Sequence, residues 1–225
     1  MQLYKVRGGT EKDLNAKQYN IGIGISLGNK WFSAENIVLL MEWAIEHTKD
    51  FVVVYVADSI HAINIEVRKR KSPQKALEIA MKMGDAILEE VKPLAERRLS
   101  DEKLSRIHYE RWDGLITPAF QKKLDWLNTK FQTDNNFKAE VINLVDGFTS
   151  GEKRVFDEND KIKLGSYIIS EFPELLTRVP INSLSFDANA YPFDGKLLEF
   201  IEDIQNGNIF PEIREAIMDT EPKVF

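Results

Sequence analysis

The chain has 225 residues, 43% of them hydrophobic, and a formal net charge of −6, enough for a sizeable core and most economically one catalytic domain over 1–225. It holds no Cys, which excludes disulfides, thiolate metal sites and a cysteine nucleophile and suits a reducing cytoplasm. The longest apolar run, Phe51-Val-Val-Val-Tyr-Val-Ala57, falls far short of the roughly 20 residues of a bilayer helix, and residues 1–9 have no signal-peptide core, so no membrane association is expected.

Residues 1–18 are polar and contain Gly, and read as a loosely ordered lead-in. Tyr19 to Ile25 alternates apolar residues with Gly, as in a buried strand whose backbone something approaches closely. The chain turns polar at Ser26 and Asn29. Ser33 then reads as an N-cap, with Glu35 in the first turn and Ile37, Leu40, Met41, Ala44 and Ile45 at helical spacing in a helix ending near Thr48. Phe51 to Val56 is a run of apolar, mostly β-branched residues, a strand buried on both faces. Strand, helix and strand at this spacing predict a parallel βαβ unit, closed by Asp58-Ser-Ile-His61 where crevice residues collect.

Ser72-Pro73 is a helix start, and Ala76, Ile79, Ala80, Met83, Ile87 and Val91 mark its apolar stripe. Lys71, Lys75 and Lys82 lie off the stripe, and Pro93 is expected to kink or end the helix before Arg97-Arg98. Residues Arg68 to Arg111 hold twelve Lys or Arg against eight Asp or Glu. A basic segment in an acidic protein gives one positive face, suited to phosphate. A solvated helix surface is the competing reading.

Ser105 to Trp112 alternates as a third strand. Thr117-Pro118 repeats the helix-start signal before Phe120, Leu124, Leu127 and Phe131, Asn135-Asn136 interrupts, and Phe137 to Val145 resumes a helix. Thr149 to Lys161 reads as a surface loop. A helix from Leu164 to Pro173 would put Tyr167 and Glu171 at i and i+4, on one face. A strand over Ser183 to Tyr191, then Pro192-Phe-Asp194, a helix Lys196 to Gln205 and an acidic tail complete the chain.

Three motif readings compete for the turn at Ser26. Gly24-Ile-Ser-Leu-Gly28 matches the nucleophile elbow of serine hydrolases, but His47, His61 and His108 all precede the C-terminal half where that fold places its base. Gly22-Ile-Gly-Ile-Ser-Leu-Gly28 also resembles a dinucleotide fingerprint, with Asp58 for a ribose. Lys30-Trp-Phe32 separates the last Gly from the helix, so the helix N-terminus is poorly placed for a pyrophosphate. Otherwise the glycines serve close packing alone.

The third reading rests on Gly24-Ile-Ser26-x-x-Asn29, Tyr167-Ile-Ile-Ser-Glu171-x-Pro173 and Asn189-Ala-Tyr191-Pro192. In order and separation these resemble the tRNA-dependent cyclodipeptide synthases over most of the chain. The resemblance implies a Rossmann-like α/β fold, a parallel sheet flanked by helices, similar to the catalytic domain of the class I synthetases for Tyr and Trp. It implies two aminoacyl-tRNAs as substrates, joined into a cyclic dipeptide (a 2,5-diketopiperazine) by a ping-pong route through aminoacyl- and dipeptidyl-esters of Ser26. No ATP or other cofactor, no metal and no DNA partner are expected, and the protein is expected to be a monomer.

By the same resemblance Ser26 is the covalent nucleophile, Glu171 and Tyr167 hold the first amine, and Tyr191 lies near the scissile ester. Family members divide into a group with Asn three residues after the serine and His after the late Tyr, and a group with Pro after that Tyr. This chain has Asn29 from one and Pro192 from the other; it is placed with the Pro-bearing group, which leaves the role of Asn29 open. Gly24, Asn29 and Val54 are expected to shape the substrate pocket, and Lys71, Lys75, Lys82, Arg97 and Arg98 to meet tRNA phosphates. His61 and His108 are expected to be structural. A nucleotide- or RNA-binding Rossmann domain without covalent chemistry is the alternative.

Overall fold

A computed structural model describes residues 6–7, 9–181, 184–193 and 195–218. The elements in chain order are α1 (Glu11–Asn15), β1 (Ile21–Ile25), α2 (Ala34–His47), β2 (Val52–Val56), α3 (Asp58–Lys69), α4 (Pro73–Arg98), α5 (Asp101–Leu104), β3 (Ile107–Arg111), α6 (Trp112–Leu115) and α7 (Pro118–Thr133). They continue with α8 (Asn135–Thr149), α9 (Glu158–Leu176), β4 (Val179–Ile181), β5 (Leu184–Phe186), β6 (Ala188–Asn189), α10 (Lys196–Asn206) and α11 (Pro211–Ile217).

Four strands form one sheet in the order β3-β2-β1-β6, and every pairing in it is parallel. The expected α/β architecture is thus present. Strand alternation divides its faces. Ile21, Ile23, Ile25, Val52, Val54 and Val56 face Ile37, Val38 and Met41 of α2 and Val91 and Ala95 of α4. Val53 and Tyr55 point the other way, toward Trp112, Phe120, Val179 and Phe186. A further core joins α7, α8, α9, α10 and α11 around Phe137, Phe172 and Phe200.

The order places a switch point between β1 and β6. The chain leaves β1 toward β2 on one side, and returns to β6 on the other only after the long helical excursion from α6 to α9. In open parallel sheets the crevice beyond the strand ends at such a point is where ligands bind. Ser26 directly follows β1, and Tyr191 lies two residues beyond β6.

Several expectations need correcting. Part of the lead-in is helical: Thr10 caps α1 by accepting from Asp13 N, and Leu14 is buried. Asp58 opens a helix rather than bordering the crevice. It is fully buried and ion-paired with Arg111, which also pairs with Asp85 at 2.6 Å. Pro93 and Pro173 both lie inside helices; each removes one N–H bond, while flanking residues such as Val91 and Ala95 or Phe172 and Leu176 stay buried and keep the helix packed. The helix α8 begins at the Asn pair because Asp134 accepts from the N–H groups of Asn136 and Phe137. The loop ends early, since Asp157 caps α9.

The strand expected from Ser183 is two strands. Residues of β5 pair antiparallel with β4, and only β6 enters the main sheet. Ser183 itself, Asp194 and the acidic tail beyond residue 218 lie outside the described residues.

Candidate active site

The turn after β1 is built by its own polar atoms. Asn29 N–H donates to Ser26 O at 3.4 Å, and Gly28, at φ +82°, takes the left-handed conformation that the third position of such a turn requires. Asn29 Oδ1 accepts from Trp31 N–H at 3.0 Å, and Ser33 caps α2 by accepting from Asn36 N–H. These bonds hold Ser26 at the carboxyl end of β1 with its side chain toward α9.

There it meets a chain of hydroxyl and carboxylate. The Tyr167 hydroxyl interacts electrostatically with both Ser26 and Glu171. Burial of both groups sets their titration. The Tyr167 phenol is held well above its ordinary range, by burial first and then by the charge of Glu171. Burial likewise raises Glu171, from 4.5 to about 8, against the Tyr167 hydrogen bond that lowers it and with the Glu174 charge that raises it further. Tyr191, 44% exposed at the mouth, has its pKa raised by desolvation and then by Glu171 and Glu174.

Two cavities meet at this chain. The first, about 570 Å³, is lined by Gly24, Tyr55, Trp112, Glu174 and Asn189. The second, about 500 Å³, is lined by His61, Asn64, Arg68, Lys69 and Tyr167. Ser26, Asn29, Glu171 and Tyr191 border both. A nucleophile between two compartments can exchange acyl groups between occupants of each. Among the described residues no three His, Asp or Glu side chains cluster as metal ligands, and no helix is long and apolar enough to cross a membrane.

The family model described as cyclodipeptide synthase matches residues 9–208. The chain belongs to that family. It is accordingly an enzyme, of the tRNA-dependent aminoacyltransferase kind. A CDPS from Fluoribacter dumoffii superposes with a TM-score of 0.69 at 14% identity, over 92% of each chain. One from Staphylococcus haemolyticus gives 0.68 at 18% identity, also over 92% of each. A Mycobacterium tuberculosis structure, described as demonstrating that cyclodipeptide synthetases are related to type I tRNA synthetases, gives 0.61 at 21% identity over 76% of this chain and 73% of its own. At these identities the likeness concerns the fold. A comparison with curated proteins gave no match.

Within this cyclodipeptide synthase, the structure brings together Ser26, Tyr167, Glu171 and Tyr191, with Gly24 and Asn29 in the same wall. Val54 is not there. Alternation turns it to the α2 face, and its neighbour Tyr55 lines the cavity instead. Gly24 is what admits that ring: a Cβ on Gly24 would stand 2.8 Å from the Tyr55 hydroxyl oxygen.

The expected basic residues lie along α4 and just before it. Lys71, Lys75, Lys82, Arg97 and Arg98 are exposed, with Lys75 paired to Glu78 at 2.8 Å and Arg98 to Glu42 at 3.0 Å. Arg68 and Lys69 are nearer the serine, in the wall of the second cavity, and were not singled out by the sequence. His61 lines that cavity as well, and its pKa is lowered to about 4, first by burial and then by Lys69 and Arg68. His108 packs edge-on against Phe51. Glu174, Tyr55 and Asn189 are the other residues that sequence reasoning missed as cavity lining.

Proposed function

We propose that this enzyme makes a cyclic dipeptide from two aminoacyl-tRNAs through esters on Ser26. The observation carrying this reading is the grouping of Ser26, Tyr167 and Glu171 at the junction of two cavities. An aminoacyl-tRNA is already an activated ester. Ser26 Oγ attacks its carbonyl, the Ser26 proton passes to the departing ribose oxygen, and one ester replaces another without nucleotide hydrolysis.

Glu171 holds the amine of the loaded group, with Tyr167 as the hydrogen-bond partner that fixes both carboxylate and serine. The free amine of the second aminoacyl group, seated in the second cavity, attacks the Ser26 ester. An amide forms, Ser26 is released from the first acyl carbon, and the dipeptidyl unit is transferred back to Ser26 from its own tRNA ester. The amine held by Glu171 then attacks that Ser26 ester, the six-membered ring closes, and the serine hydroxyl regains its proton through the Tyr167–Glu171 relay. Each amide-forming step runs from ester to amide, downhill. Backbone N–H groups of the glycine-rich turn stabilise the oxyanion in this reading.

Charged tRNA locates the reaction in the cytoplasm, and the cationic side of α4 offers contacts for its phosphates. The test is to mix the purified protein with tRNA charged with labelled amino acids and to follow label. Release of a cyclic dipeptide supports the reading; tRNA affinity with no label transfer supports the non-covalent nucleic-acid-binding alternative and contradicts it.

A further inference from the structure

Every exposed aromatic side chain among the described residues lies at the mouth of the two cavities. Phe148, Tyr191 and Phe193 are 56%, 44% and 37% exposed. All three line the first cavity, and Phe148 and Tyr191 line the second as well. The exposed aliphatic residues Leu39, Leu77 and Val155 border neither. A single exposed apolar residue needs no explanation, but aromatic rings gathered at one opening do.

Most of this group is held by its own contacts. Phe32, 6% exposed, is the seat: Trp31, Tyr191 and Phe193 stand 5.2, 6.2 and 6.3 Å from it between ring centroids. Phe193 also meets Trp31 at 5.8 Å and Tyr191 at 5.7 Å. The backbone of Trp31 is pinned on both sides, its N–H donating to Asn29 Oδ1 and its carbonyl accepting from Asn36 Nδ2 at 2.7 Å. Asn29 thereby holds a ring of the mouth in place. Ring planes within the cluster are inclined to one another by between 47° and 83°. No two rings cover each other face to face, which leaves ring faces open to a flat partner. Lys30, next to Trp31 in sequence, is exposed, and so is Lys196 in the wall that Phe193 shares. Open rings beside cations suit a single-stranded polynucleotide, whose bases stack while its phosphates meet the charges.

We infer that Trp31, Phe148 and Phe193 form a stacking rim that receives the unpaired bases at the 3′ end of the aminoacyl-tRNA and so directs its ester to Ser26. This rests on the reading of charged tRNA as the donor of the acyl group. That group is esterified to the terminal ribose, so whenever the ester reaches Ser26 the last bases stand beside the mouth. Unpaired bases are free to splay onto aromatic rings, and such stacking tolerates any base. The contact is therefore indifferent to the amino acid carried.

The experiment measures binding of uncharged tRNA, whole and trimmed of its last three nucleotides, to the unmodified enzyme, Phe148→Leu, Phe193→Leu and the double variant. Leucine keeps apolar bulk and offers no π-face. Trimming should weaken binding to the unmodified enzyme by at least about tenfold, the range for loss of a stacked base. The double variant should bind whole tRNA at least about tenfold more weakly and separate whole from trimmed tRNA by less than about threefold, because the trimmed bases and the rings are one interaction. Absence of a trimming penalty in the unmodified enzyme overturns the inference and needs no variant to fold. An equal penalty in all four proteins overturns it too, and both results leave the Ser26 reading intact. A full penalty in variants that load a different amino acid onto Ser26 would assign the rim to the aminoacyl side chain and equally overturn it. Failure of every charged tRNA to acylate the protein overturns the Ser26 reading itself, and this inference with it.

Discussion

Tyr167 and Glu171 stand one helical turn apart on α9, half-buried in the wall of the second cavity beside Ser26, and the Tyr167 hydroxyl interacts with both Glu171 and Ser26. The helix thereby carries the serine's proton path and the amine's anchor on one rigid face. Neither residue needs a loop to bring it to the site, and the turn after β1 supplies only the nucleophile.

Tyr167→Phe removes the middle of that path without changing the ring's packing. Acyl loading from charged tRNA should slow by roughly 100-fold, the lower range for a positioned proton-transfer group, while tRNA affinity stays as it was. Single-turnover loading rates against a filter-binding Kd separate the two effects. Loading at the unmodified rate would show that Tyr167 is a packing residue.

The raised pKa of Glu171 also makes a statement about stability. The folded protein keeps this proton up to about pH 8, whereas a solvated carboxyl loses it near 4.5. Between those values the folded form binds more protons than the unfolded one, so this group's contribution to stability falls as pH rises through that window. At about 1.4 kcal/mol per pKa unit the full effect is on the order of 5 kcal/mol. Glu171→Gln has no proton to lose and should unfold at higher denaturant than the unmodified protein at pH 9, with the gap narrowing at pH 5. Identical pH dependence of the two proteins would contradict the assigned titration.

Lys75 and Lys82 are seven residues apart on α4 and so lie on nearly the same face of a helix. Changing both to Glu should weaken tRNA binding and flatten its salt dependence, since fewer counterions are released, and leave the melting temperature unchanged because both are exposed. Unaltered turnover in low salt, where phosphate contacts count most, would remove α4 from the tRNA surface.

Asp58, fully buried, is held by Arg111 at the ends of β2 and β3. Arg111→Ala leaves that carboxylate without its cation and should destabilise the fold by about 3–5 kcal/mol, read from urea unfolding at neutral pH. A loss below about 1 kcal/mol would mean that the Arg111–Asp58 pair contributes little to the fold.

What the sequence made legible follows local physics. The glycine alternation of β1, the Ser33 cap and the apolar run of β2 are each decided by neighbours within a few residues, and Ser26, Tyr167, Glu171 and Tyr191 were grouped through motif order. The helix α3 escaped because it starts at once after β2 with no side-chain cap. Val54 was exchanged for Tyr55 because an all-apolar strand hides which of its residues faces which side. Glu174 looked like an ordinary helix-surface acid; its burial depends on β6 and β2 arriving from distant parts of the chain, which no local pattern reports.

The most direct measurement is the intact mass of the protein after brief mixing with aminoacyl-tRNA. The unmodified chain should gain the mass of one aminoacyl group, lost again on mild alkaline treatment as an ester is, and Ser26→Ala should gain nothing while still binding tRNA. An equal mass gain in Ser26→Ala, or cyclic dipeptide released by it at the unmodified rate, would contradict the account.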